Sequence, residues 1–128
     1  MKIAFDTNLV VRMIVLDDEP KLRKITGVLA KHGAKDIFVS GVVLMETYFV
    51  ATKLYKIPKN KTLDAFEDLM KIEQFSFESE AAVRQALVKS KKGFEFNDSL
   101  IGEIAAAKNL KTLTFDKGLK GNNNFEVI

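Results

Sequence analysis

The chain has 128 residues, 47% of them hydrophobic and 29% charged, with a net charge of +3; this is long enough for one domain with a buried core and short for two. Such shares exclude wholesale disorder, collagen-like repeats and coiled coil. No apolar run approaches the ~20 residues of a spanning helix, and the opening segment has no signal-peptide layout, so a cytoplasmic protein without a membrane partner is expected. With no Cys and one His (His32), disulfides, thiol nucleophiles and thiolate metal sites are excluded, and any chemistry falls to carboxylates.

In chain order, Lys2 to Phe5 reads as a strand, Asp6-Thr7-Asn8 as a cap, and Leu9 to Leu16 as a short helix. Asp17-Asp18-Glu19-Pro20 starts a second helix that Gly33 stops. His32, near that end, sits in the favourable field of a helix C-terminus. Ile37-Phe38-Val39 is a buried strand, and Val42 to Tyr55 a helix apolar on nearly every side, running into Pro58. From Asn60 an amphipathic helix leads to a brief strand at Gln74 to Phe77. Ser79 caps the next helix, and Asn97-Asp98 opens another that Asn109 closes. Gly102 inside it weakens the helix by ~1 kcal/mol relative to Ala, which points to a close packing contact, while Glu103 either faces solvent, the expected case, or serves as an extra ligand. Lys111 to Phe115 is a strand, Asp116 to Lys120 a turn or short helix, and Phe125 to Ile128 the last strand. Strands alternating with helices predict a single α/β domain over residues 1–128: a three-layer α/β/α sandwich with a mostly parallel five-stranded sheet.

In such a sheet ligands bind where strands end and helices begin. Asp6, Asp98 and Asp116 all fall at that edge, although each alone is also an ordinary cap. Glu46 is the only charge between Gly41 and Thr52, with Val42, Val43, Phe49 and Val50 within about 60° of it on the helix, about 8 Å from the edge. A carboxylate in an apolar stripe is expected to pair with a cation, for which Lys53 is the candidate, to be protonated, or to join a metal held with the other three acids. Four carboxylates gathered together cannot all ionise without counter-ions; one or two Mg²⁺ or Mn²⁺ ions, which prefer oxygen ligands, resolve that conflict. Ions so held activate water at a phosphodiester, so a nucleic acid is the expected substrate. Arg12, Lys53, Lys91, Lys92, Lys117 and Lys120 are near enough in sequence to contact its phosphates, the alternative being a solvated lysine surface.

Asp6-Thr7-Asn8 after an opening strand, Glu46 in the third helix, Asn97-Asp98-Ser99-Leu100-Ile101 and Thr114-Phe115-Asp116 together resemble a PIN-domain nuclease, closest to the VapC-type toxins of toxin–antitoxin pairs. The resemblance covers nearly the whole chain. It implies that Asp6, Glu46, Asp98 and Asp116 form an acidic metal site supported by Asn8 and Thr114, with Asp116 acting directly, through water, or on a second ion. It also implies an endoribonuclease acting on structured or single-stranded RNA, a homodimer, and inhibition by an antitoxin whose tail lies in a groove beside the site. Val10, Val11, Met13, Ile14, Leu16 and Leu22 supply apolar content either for that groove or for the core. Two other readings remain: a PIN fold that binds RNA or protein without hydrolysis, and a phosphoaspartyl phosphatase or receiver-like domain. Against the last, Asn8 stands where the phosphatase pattern has a second acid, and Lys117 is too close to Asp116 for a receiver.

Overall fold

In the computed structural model, which describes residues 2–128, the opening apolar run forms strand β1 (Ile3–Ala4) and turns at Asp6. The Asp6 carboxylate accepts the Leu9 N–H at 3.2 Å, so it caps helix α1 (Thr7–Val15). Helix α2 (Glu19–Ala30) starts in the same way, capped by Asp18 with Pro20 in its first turn. The His32 ring Nδ1 lies 2.8 Å from the Val28 carbonyl at the other end of α2. Strand β2 (Ile37–Val39) ends at Ser40, whose hydroxyl accepts the Val43 N–H and caps helix α3 (Gly41–Phe49). Instead of running to Tyr55 at one pitch, α3 widens into a π-helical turn, Val50–Leu54. Helix α4 (Lys59–Met70) and strand β3 (Phe75–Phe77) follow. The chain divides into two compact units, Met1–Glu78 and Ser79–Ile128.

In the first unit, β1, β2 and β3 pair in that order, all parallel, with Ile3 opposite Ile37 and Ile37 opposite Phe75. Paired helices supply the crossovers that parallel strands require. Phe5, Ile37, Val39, Leu44, Phe66 and Phe75 are buried, with Phe5 and Phe75 edge to face at 5.6 Å. Val10 and Val11 are core residues here. Because β1 and β2 are parallel neighbours, their carboxyl ends bring Asp6 and the start of α3 to one edge.

The second unit begins with helix α5 (Glu80–Lys91). Ser79 occupies its N-cap position, but its side chain makes no cap hydrogen bond, contrary to expectation. Helix α6 (Phe96–Ala106) starts one residue before Asn97, with extended Glu95 at its N-cap and Asp98 in its first turn. Asp98 is therefore not the capping residue. The reverse end is as read, Asn109 taking the left-handed conformation at φ 60°. Strands β4 (Thr112–Thr114) and β5 (Phe125–Val127) pair in parallel, joined through a 3₁₀ turn, Lys117–Leu119. All five predicted strands thus form and every pairing is parallel, but they hydrogen-bond as a sheet of three and a sheet of two, not as one ladder of five.

Glu103 corrects the sequence reading more sharply. Its side chain is only 13% exposed and pairs with Lys89 Nζ at 2.6 Å, while the Asn124 amide donates to the same carboxylate. Lys89 also donates to Asn122 and Asn123, tying both helices to the loop before β5. Removing one partner of a mostly buried ion pair leaves the other charge desolvated. Glu103→Ala should therefore lower stability by about 2 kcal/mol, read as a reduced urea midpoint with an unchanged slope.

Candidate acidic site

Each unit presents two of the four acids. In the first, one Asp6 oxygen is taken by the α1 N-cap, which fixes the carboxylate's orientation, and the next residue, Thr7, donates its hydroxyl to Glu46 Oε1 at 3.2 Å. Glu46 was expected inside a buried apolar stripe. It is exposed, as are its helix neighbours Val42 and Phe49, because the stripe they share is on the solvent side of α3. Its partner is Thr7, 39 residues away, and not Lys53. Thr7 is the residue that sequence reasoning passed over, although it stands inside the Asp6-Thr7-Asn8 motif.

In the second unit, Asp98 is half-buried, and its pKa is raised above the ordinary carboxylate value by burial first, then by the negative charges of Asp116 and Glu95. Asp116 is held by its own turn: one carboxylate oxygen accepts the Gly118 N–H at 2.8 Å, and the Asp116 N–H donates to Thr114 Oγ1 at 3.0 Å. Thr114 thus supports Asp116 directly. Glu95 is a third acid near Asp98 that the sequence reading did not weigh.

Among the described residues, no group of three or more His, Asp or Glu side chains is assembled that could hold a metal ion. The donor chemistry of the two pairs nonetheless suits a hard cation: every candidate ligand is a carboxylate oxygen, and like charges already oppose one another at Asp98.

Arg12 was a phosphate candidate, but it is already engaged. Its guanidinium pairs with Asp17, donates to the Tyr55 hydroxyl at 2.6 Å, and lies 5.5 Å from the Tyr55 ring centroid. Lys53, Lys91, Lys92, Lys117 and Lys120 are exposed. Arg12 and Tyr55 instead wall a groove of about 610 Å³ in the first unit, with Leu9, Ile25 and Val28 as apolar lining and Lys21 and Lys24 at its side. Of the residues expected to line a groove, Val10 and Val11 are buried in the core and none of the six lines this one.

A model of the PIN-domain family matches residues 3–123, spanning both units and all four acids. The chain belongs to the PIN-domain family. Among solved structures, this PIN protein is similar to VapBC2 from Rickettsia felis bound to a DNA fragment from its promoter, at 18% identity and TM-score 0.43 over 100% of this chain and 98% of that one. It is also similar to a toxin–antitoxin complex from Klebsiella pneumoniae, at 16% identity and TM-score 0.37, over 99% and 97% of the two chains. None of the curated proteins compared matches it. No helix among the described residues is long and apolar enough to cross a membrane.

Proposed function

We propose that this PIN-domain protein is a Mg²⁺- or Mn²⁺-dependent endoribonuclease, a VapC-type toxin in which Asp6, Glu46, Asp98 and Asp116 serve one metal site. The observation that carries the reading is Asp98, a partly buried carboxylate set against Asp116 and Glu95 on a chain that the PIN family model spans. Like charges in that arrangement cost stability unless a cation offsets them. When bound, such a cation supplies an activated water and offsets the negative charge that develops on the phosphodiester.

The chain's own residues orient the donors. The α1 cap leaves one Asp6 oxygen outside its hydrogen bond, Thr7 steers Glu46, and the 3₁₀ turn steers Asp116. Asp98 is held in the first turn of α6. Exposed Lys53, Lys92 and Lys117 supply phosphate contacts. The same reading takes in a homodimer, a cytoplasmic location, and a cognate antitoxin whose tail occupies the groove beside α1.

The test incubates end-labelled mixed-sequence RNA with the protein in Mg²⁺, Mn²⁺ or EDTA, beside Asp6→Asn. Asn caps a helix as well as Asp does, so the variant should keep its melting temperature while cleavage falls by at least about 100-fold. Cleavage by Asp6→Asn at the parent rate would remove the proposed site. RNA binding without cleavage under any metal would leave a non-hydrolytic PIN module instead.

A further inference from the structure

Phe115 is 82% exposed, more than any other large apolar side chain among the described residues. Covering such a ring would gain about 2 kcal/mol of burial. Its place in the chain is specific: it lies between Thr114 and Asp116, one Cα–Cα step of ~3.8 Å from a proposed metal ligand. The backbone on both sides is fixed. Thr114 belongs to β4 and accepts the Asp116 N–H, Asp116 caps the next turn through Gly118, and Leu119 anchors that turn in the core at 4% exposed. The ring therefore projects from a rigid frame, with only its own two side-chain torsions to settle on contact.

Leu113, two residues earlier in β4, is also exposed, at 58%, and Lys111, Lys117 and Lys120 are exposed close to Phe115 in sequence. A flat aromatic face with cations nearby is the means by which proteins hold single-stranded nucleic acid: bases stack on the ring while lysines follow the phosphates. A purely apolar partner surface would meet those three lysines unfavourably. We propose that Phe115 is the base-stacking residue of the site, receiving an unpaired nucleobase next to the phosphodiester served by Asp116; this rests on the ribonuclease reading. It follows that the substrate is single-stranded at that nucleotide, because a base kept in a duplex has no free face to offer.

The chain contains no Trp, so Phe115→Trp places a sole indole at this position. Full-length Phe115→Trp titrated with a single-stranded RNA oligonucleotide in EDTA should show saturable quenching that inorganic phosphate does not reproduce. In Mn²⁺, Phe115→Ala should raise KM by about 5- to 150-fold with kcat within about twofold, Phe115→Tyr should restore the parent KM, and the exposed position should leave the melting temperature unchanged in all three variants. If the parent cleaves RNA while Phe115→Ala keeps its KM and the indole is not quenched, stacking is overturned and the ribonuclease reading stands. If the indole is quenched but the parent cleaves nothing, the ribonuclease reading fails and stacking is supported. Emission already that of a buried indole in the free protein, or shifting to the blue with protein concentration alone, would show the ring covered by protein and overturn the proposal.

Discussion

On the ribonuclease reading, replacing Asp98 by Asn should lower RNA cleavage by about 1,000-fold or more and at the same time raise the melting temperature at neutral pH. The two effects have one source. Burial, then Asp116 and Glu95, push the Asp98 pKa above its ordinary 3.8. A carboxyl whose folded pKa is raised contributes stability that is fully present below its unfolded pKa and is lost as pH rises through the folded value. At pH 7 the ionised Asp98 thus weighs against the fold, and Asn relieves that repulsion at similar volume. The stability difference between variant and parent should be absent near pH 3 and open as the pH climbs past 4. Mg²⁺ should raise the parent's melting temperature more than the variant's, since a ligand stabilises only the state that binds it. Thermal melts across pH, with and without the cation, read all of this. A variant less stable than the parent at pH 7 would mean that Asp98 is a structural residue.

Gly102→Val should destabilise the protein by about 3 kcal/mol, and Gly102→Ala by about 1 kcal/mol. A Cβ built at Gly102 meets the Phe125 ring at 2.6 and 3.0 Å and Asn124 Cβ at 3.2 Å. Phe125 is a buried β5 residue, 8% exposed, so its ring has little room to turn aside. Ala gains about 1 kcal/mol of helix propensity over Gly, which offsets part of the overlap; Val gains less and collides more. Urea unfolding measures both. Gly102→Ala more stable than the parent would show that the ring moves freely and that the contact is incidental.

The Gly102 contact was legible because glycine inside a strong helix pattern demands a reason. The strands are legible too, since the first, second and fourth apolar runs end at a capping residue, Asp6, Ser40 and Asp116, and Asp6 caps as its position implies. Ser79 did not, and Glu95 displaced Asn97 and Asp98 as the α6 cap: neighbouring residues compete for such positions, and backbone geometry decides between them. Glu46 departs from expectation for a different reason. Helical angles say which residues share a face, not whether that face points inward, and here Val42 and Phe49 point out with it. The contacts of Arg12 with Tyr55 and of Glu46 with Thr7 are beyond reach of the sequence, since those partners lie 43 and 39 residues away and meet them only through tertiary packing.

The division of the acids between the two units bears on how the protein is made. Asp6 and Glu46 belong to Met1–Glu78, Asp98 and Asp116 to Ser79–Ile128, and chains leave the ribosome N-terminal end first at about 5–20 residues per second. On the four-acid reading, a nascent chain that has completed its three-stranded sheet still lacks half of its ligands, and gains the last only when Asp116 has been added. A ribonuclease emerging beside the RNA that encodes it would be harmless until synthesis is nearly over, and a chain broken off before residue 98 would be harmless altogether.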